Sequence, residues 1–147
     1  LDPGRYYFLA ADIAEFEGYR YELDNALRRG DLLPAYHMFN RLQKRLLERT
    51  KYMQRAIDSG LERLDFTTDE VIRIKREKVA WSIDQATQDD LWNRRLKSQV
   101  LSMKLNDKEL DEIAETLAKR YRNQQKVALR NRSERSLCSL KIDALHY

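Results

Sequence analysis

The chain holds a single cysteine, Cys138, which excludes an internal disulfide and leaves the redox compartment unreadable from cysteine usage. Its four glycines and two prolines are too few for the turns of a sandwich or barrel, while 35% of its residues are charged. That composition fits long solvated helices, so an all-α fold is expected. The longest apolar run, Tyr6 to Ala11, falls far short of the roughly 20 residues that a spanning helix needs, and direct membrane insertion is not expected. No glycine-rich phosphate loop, internal repeat or low-complexity run is found. There is also no initiator Met and no signal sequence, and the opening from Leu1 to Phe16 reads as a piece from the middle of a larger protein.

What is present is length enough for one core: 147 residues bury about two-thirds of their unfolded surface without a metal or disulfide staple. Lys and Arg number 28 against 24 Asp and Glu, and the excess is uneven. From Thr116 to Ser133 there is no acid at all, while Lys119, Arg120, Arg122, Lys126, Arg130 and Arg132 accumulate.

The periodicity predicts four to five helices. Asp2-Pro3-Gly4 is turn chemistry, and a first helix is expected from Asp12, as its cap, to Arg29, with Ile13, Phe16, Leu23 and Leu27 on one face and Gly30 just past the end. Gly18 weakens that helix, and close packing at its turn would account for it. Asp31 should cap a second helix reaching Gly60, with Pro34 in its first turn and a stripe of Tyr36, Phe39, Leu42, Leu46, Met53 and Ile57. The opposite face, Arg41, Lys44, Arg45, Glu48, Arg49 and Arg55, reads as solvated. Residues 61–86 lack a helical stripe; Ile72 and Ile74 alternate with Arg73 and Lys75, which predicts an extended or hairpin-like excursion anchored by Trp81. A third helix is expected from Thr87, with Asp90 at the capping-box position and Leu91, Trp92, Leu96, Val100 and Met103 apolar. Asn106 with Glu109 should cap a fourth carrying Leu110, Ile113, Ala114, Leu117, Tyr121 and Ala128, folded back on the third. From Ser133, Leu137, Leu140 and Ala144 suggest a short fifth.

Converging chemistry is scarce. His37 has no Ser or Cys nucleophile motif near it and reads as a packing or surface residue. Asp143 and His146 make half of a helical metal pair with no second half, and Ser139 and Lys141 would point to different sides of a helix. No catalytic, cofactor-binding or metal-ligating residue is assigned, and no cofactor is expected.

A set of short motifs in a fixed order carries more. Leu1-Asp2-Pro3, Tyr7-Phe8-Leu9, Asp12-Ile13 and Phe16 are followed by Leu33-Pro34-Ala35-Tyr36, Arg45-Leu46-Leu47-Glu48-Arg49 and Leu64-Asp65-Phe66-Thr67. Leu91-Trp92-Asn93-Arg94-Arg95-Leu96-Lys97, Lys104-Leu105, Leu117-Ala118-Lys119-Arg120-Tyr121 and Asn131-Arg132-Ser133-Glu134 complete the series. In this order the chain resembles the N-terminal helical domain of the tail-specific, or carboxy-terminal processing, serine proteases of Gram-negative bacteria. The resemblance implies a periplasmic location and a parent serine endopeptidase that degrades proteins from their C-termini. It places the Ser/Lys dyad and the PDZ domain outside these residues and leaves this part a scaffold and interaction element without chemistry of its own. Implied partners are the rest of the parent protease, protein substrates and an adaptor lipoprotein. The likeness covers roughly nine-tenths of the chain, and residues 1–132 are taken as the domain. From Arg135 to Tyr147 the chain departs from the family pattern, so 133–147 is set apart as a C-terminal tail.

Two other readings compete. A basic helical nucleic-acid binder would use Arg94, Arg95, Lys97 and the cluster from Lys119 to Arg132, with Trp or Tyr stacking on bases, although interspersed acids elsewhere argue against it. A stand-alone adaptor bundle is the other.

Overall fold

The computed structural model describes residues 1–144, with side chains through Arg132. Its elements are α1 (Ala10–Glu17), α2 (Leu23–Arg28), α3 (Leu33–Asp58), a 3-10 turn (Leu61–Arg63), α4 (Gln85–Lys104) and α5 (Leu110–Ala144). No sheet strand occurs among the described residues, and the fold is all-α as composition implied.

The core lies where α3, α4 and α5 meet. Met53 and Ile57 from α3, Leu61 from the turn, Trp92, Leu96 and Val100 from α4, and Ile113, Leu117, Ala118 and Tyr121 from α5 form one buried cluster. Each group recurs at three- or four-residue intervals, so each helix presents a stripe and the three stripes exclude water together. α5 packs chiefly on α3 and less on α4. The Tyr121 hydroxyl stays satisfied inside the cluster by donating to Gln99 Oε1 at 2.9 Å.

Two local expectations hold at the ends of α3. Gly30 has φ +76° and Gly60 φ +99°, the left-handed backbone that only glycine adopts cheaply, so they separate α2 from α3 and stop α3. Pro34 sits in the first turn as expected, but the N-cap is Leu32 and not Asp31, which lies one residue outside it and accepts from the Leu33 N–H at 3.0 Å through Oδ1.

Elsewhere the elements depart from the sequence pattern. The expected first helix is two: α1 ends at Gly18, its C-cap, and residues 19–22 tighten into turns such as Tyr19 N–H to Phe16 O at 2.9 Å. A Cβ on Gly18 would meet only its own helix's Glu15 O, at 3.2 Å, so the glycine marks a helix end and not a close packing point. Asp12 lies inside the first turn of α1 and reaches back to accept from the Leu9 N–H at 3.0 Å. α4 starts at Gln85 because Asp84, and not Thr87, is the N-cap: its Oδ1 accepts from Thr87 N–H at 2.8 Å and Thr87 Oγ1 at 2.7 Å. Asn106 donates back to Ser102 O at 2.7 Å, closing the end of α4 instead of opening α5. The short fifth helix expected from Ser133 is a continuation of α5 as far as Ala144.

Residues 64–84 form neither hairpin nor strand. Their backbone is spent on the N-terminal segment: Ser82 bridges Leu9 in parallel, and Ser82 O accepts from Ala10 N–H at 2.9 Å. Ile74 is 91% exposed, so its alternation with Arg73 and Lys75 reports no buried face.

Candidate interaction surfaces

The arginines of α3 that read as a solvated face make an ionic clamp. Asp12, only 1% exposed, receives Arg41 Nη1 at 2.5 Å and a two-pronged contact from Arg45, Nε at 2.8 Å and Nη2 at 3.0 Å. Arg41 also holds Glu15 at 2.9 Å, Glu15 Oε1 meets His37 Nε2 at 2.8 Å, and Arg45 reaches Glu48 at 2.9 Å. Burial alone would raise the Asp12 carboxyl, but hydrogen bonds from Arg45, Leu9 N–H and Arg41 outweigh it and hold the group below its ordinary value. Bonds to Asp12, against some desolvation, push both arginines up. His37, flanked edge-on by Phe16 and Tyr19, belongs to this clamp and therefore has the packing role expected of it. Arg49, 4% exposed, makes a second tie, to Asp89 and to Gln85 Oε1 at 2.7 Å. The sequence offered one clue to these ties: Arg41, Arg45 and Arg49 recur every four residues, one stripe on a helix.

A latch gathers the N-terminal segment. The Asp2 carboxylate accepts from the N–H groups of Tyr6, Tyr7 and Phe8 at 3.1, 2.8 and 3.0 Å. Trp92 Nε1 donates to Tyr6 O at 2.9 Å and Gln88 Nε2 to Tyr7 O at 2.7 Å. From the other side Arg76 donates to Gly4 O at 3.0 Å with its guanidinium 5.1 Å from the Tyr6 ring, and Arg5 donates to Val79 O while lying 4.8 Å from the Trp81 ring. Trp81 thus anchors the excursion as expected. Beside it lies a hollow of about 550 Å³ with Phe8, Phe16, Met38 and Trp81 in its walls.

Of the residues considered for nucleic acid, the α4 trio is engaged inside the chain. Arg94 pairs with Asp90 at 2.9 Å, Arg95 lies over Tyr6 and Trp92 at 4.4 and 4.8 Å, and Lys97 pairs with Glu70 at 2.7 Å. Trp92 and Tyr121 are 0% and 2% exposed and cannot stack on a base. On α5, Lys119, Arg120, Arg122, Lys126 and Arg132 are exposed.

Between α3 and α5 runs an open groove of about 400 Å³ lined by Gln43, Leu46, Arg120, Gln124, Val127 and Ala128, among others. Gln43 is 5% exposed, and its Oε1 and that of Gln124 are buried without a hydrogen-bond partner. Neither glutamine stood out in the sequence, because a glutamine on a helix face is ordinary until its burial is known. The side chains of Cys138, Ser139, Lys141, Asp143 and His146 lie outside those described. Among the described residues no cluster of His, Cys, Asp and Glu could hold a metal, and no helix is long and apolar enough to cross a membrane.

Residues 1–145 match the family described as the tail-specific protease N-terminal domain. A curated relative, the tail-specific protease of Haemophilus influenzae, is 35% identical over 122 residues, which is 82% of this chain and 17% of that protein. The chain therefore spans about a sixth of the length of the relative it matches, and by that match and the family's cover of nearly every residue it belongs to the tail-specific protease N-terminal domain family.

Proposed function

We propose that this chain is the non-catalytic scaffold and interaction domain of a periplasmic tail-specific serine endopeptidase, whose Ser/Lys dyad and PDZ domain are carried elsewhere in the parent. One observation carries the reading: the matching family is itself an N-terminal domain, and the match takes up 17% of the protease that contains it. The use made of reactive side chains supports it. Asp2, Asp12, Arg41, Arg45, Arg49 and Asp84 all hold backbone or side chains of this chain, Arg49 through Asp89 and Gln85, so the groups that acid–base chemistry would draw on serve the fold. The partners of such a domain are the rest of the protease, its protein substrates and an adaptor lipoprotein.

The test is hydrolysis. The purified chain should leave an unstructured polypeptide intact, and turnover that a Ser139→Ala change abolishes would overturn the reading. In the parent protease, deleting residues 1–132 should impair processing of a folded substrate while leaving the dyad reactive toward a serine-directed probe.

A further inference from the structure

We propose that the groove between α3 and α5 seats an extended, acidic polypeptide segment, held through its main chain by Gln43 and Gln124 and through its carboxylates by the basic flank of α5. The inference rests on the interaction role proposed above and names the chemistry of the partner.

The groove holds unspent hydrogen-bonding capacity. Gln43 occupies a helix face that otherwise buries Leu47, Thr50, Met53 and Ile57, and its Oε1 has no partner. Gln124, across the groove on α5, is half-buried, and its Oε1 likewise has no partner. A buried amide oxygen without a donor costs more than a made hydrogen bond returns, and an apolar side chain of similar size would remove the cost. Two such oxygens in one groove call for a ligand that brings N–H groups. A polypeptide main chain supplies one donor and one acceptor per residue, so it satisfies each glutamine whichever way its amide is turned.

The floor and the flank set the side chains. Leu46 and Ala128 line the groove with Val127, itself 47% exposed, a surface for apolar residues. Arg120 lines it too, and Lys119 and Lys126 stand exposed on the same helix within a stretch that contains no acid. In an extended segment successive side chains point to opposite sides, so alternating apolar and acidic residues would meet the floor with one set and the cations with the other. A nucleic-acid backbone fits less well: phosphates bring acceptors and no donors, so with the amides as they stand both glutamine oxygens stay unpaired.

The experiment measures fluorescence anisotropy of a labelled peptide of alternating leucine and glutamate against the full 147-residue chain, beside a leucine–lysine peptide and a single-stranded DNA. Saturable binding of the glutamate peptide is expected, with the lysine peptide and the DNA weaker. Arg120→Glu, at an exposed position, should weaken it about tenfold or more. Gln43→Leu should abolish binding while the thermal midpoint stays level or rises, because the substitution removes an unpaired oxygen from the interior. Four results would overturn the proposal: no saturable binding of the glutamate peptide, equal binding of the lysine peptide, tighter and steeply salt-dependent binding of the DNA, or full binding by both variants. If Gln43→Leu does not fold, Arg120→Glu decides alone. Peptide hydrolysis by the chain would sink the scaffold reading without touching the groove, whereas no peptide binding would sink the groove and leave that reading standing.

Discussion

Where α3, α4 and α5 meet, the chain is held by apolar side chains, whereas its first nine residues and the stretch from 64 to 84, beyond the packing of Tyr7, Phe8 and Leu64, are tied by arginines, carboxylates and single well-placed donors. The helices complete their own backbone hydrogen bonds, so they ask of their neighbours only that Trp92, Leu96, Leu117 and Tyr121 leave water together. The irregular segments have no ladder of their own. Their N–H and C=O groups must be met from outside, and Asp2, Arg5, Arg76, Gln88 and Trp92 meet them. Trp92 serves both regions, with its ring in the core and its N–H on the Tyr6 carbonyl.

The largest effect should come from that shared residue. Trp92→Ala removes a fully buried ring and a buried donor, and should cost about 3–5 kcal/mol in chemical denaturation. Leu117→Ala, 0% exposed but confined to the helical core, should cost about 2–5 kcal/mol. Hydrogen exchange separates the regions: Trp92→Ala should lower protection at Tyr7 and Phe8 more than Leu117→Ala of equal global cost does. Equal loss at those amides would mean that core and latch open as one unit.

The ionic clamp between α1 and α3 comes next. Asp12→Asn keeps the shape but removes the charge shared by Arg41 and Arg45, and should cost about 1–3 kcal/mol, since both arginines keep some access to water. The sign with pH follows from the lowered Asp12 value. A carboxyl that ionises more readily folded than unfolded gives stability that is complete above the ordinary aspartate range and is lost as pH falls through the lower folded value. Denaturation midpoints taken on acidification should therefore fall less steeply in Asp12→Asn than in the parent chain. Parallel acid limbs would show that Asp12 is not the group that titrates.

How much of this could be read beforehand divides along the same line. The stripes of α4, α5 and the last turns of α3 were legible because a helix writes its buried face locally, at three- and four-residue intervals; Leu96, Leu117 and Tyr121 fell where the pattern put them, whereas the first half of α3 buries Gln43, Leu47 and Thr50 in place of the expected Tyr36, Phe39, Leu42 and Leu46. Helix ends were harder. Asp84 and Thr87 both suit a cap, and only the chain's path from Ser82 selects Asp84. The split at Gly18 and the run of α5 past Ser133 offset one another in the number of helices, although each boundary was misplaced. The clamp and the latch were illegible for another reason: Asp12 meets Arg45 across 33 residues and Trp92 meets Tyr6 across 86, separations at which a single sequence carries no register. The groove was hidden by the same gap, because Gln43 and Gln124 look like solvated polar residues until α3 and α5 are laid together.

A helix end that does not depend on distant partners should show a smaller change. Asp84→Ala removes the acceptor of Thr87 N–H and Oγ1 at the start of α4, and should cost about 1 kcal/mol. The effect should stay local, with exchange rising in the first turn of α4 and unchanged in α5. A cost near that of Asp12→Asn would mean that the cap also fixes the excursion leading into it.

The smallest expected effect is the sharpest test of how the excursion is held. Ile74 is 91% exposed and Val71 71%, although both are apolar and lie in the stretch whose alternation suggested a strand. If residues 64–84 are fixed only by polar ties, such as Lys97 to Glu70, Arg76 to Gly4 O and Ser82 to Ala10, these side chains give nothing to the folded state. Ile74→Ser should then change stability by less than about 0.5 kcal/mol, as for an exposed position away from any packed feature. Arg76→Ala, in contrast, should lower it measurably, because a buried guanidinium leaves the Gly4 carbonyl and the Tyr6 ring together. Denaturation curves of the two variants decide the matter. A loss in Ile74→Ser that matches the loss in Arg76→Ala would show the excursion packing through its apolar side chains, and the contrast between a region held by burial and a region held by polar ties would fail there.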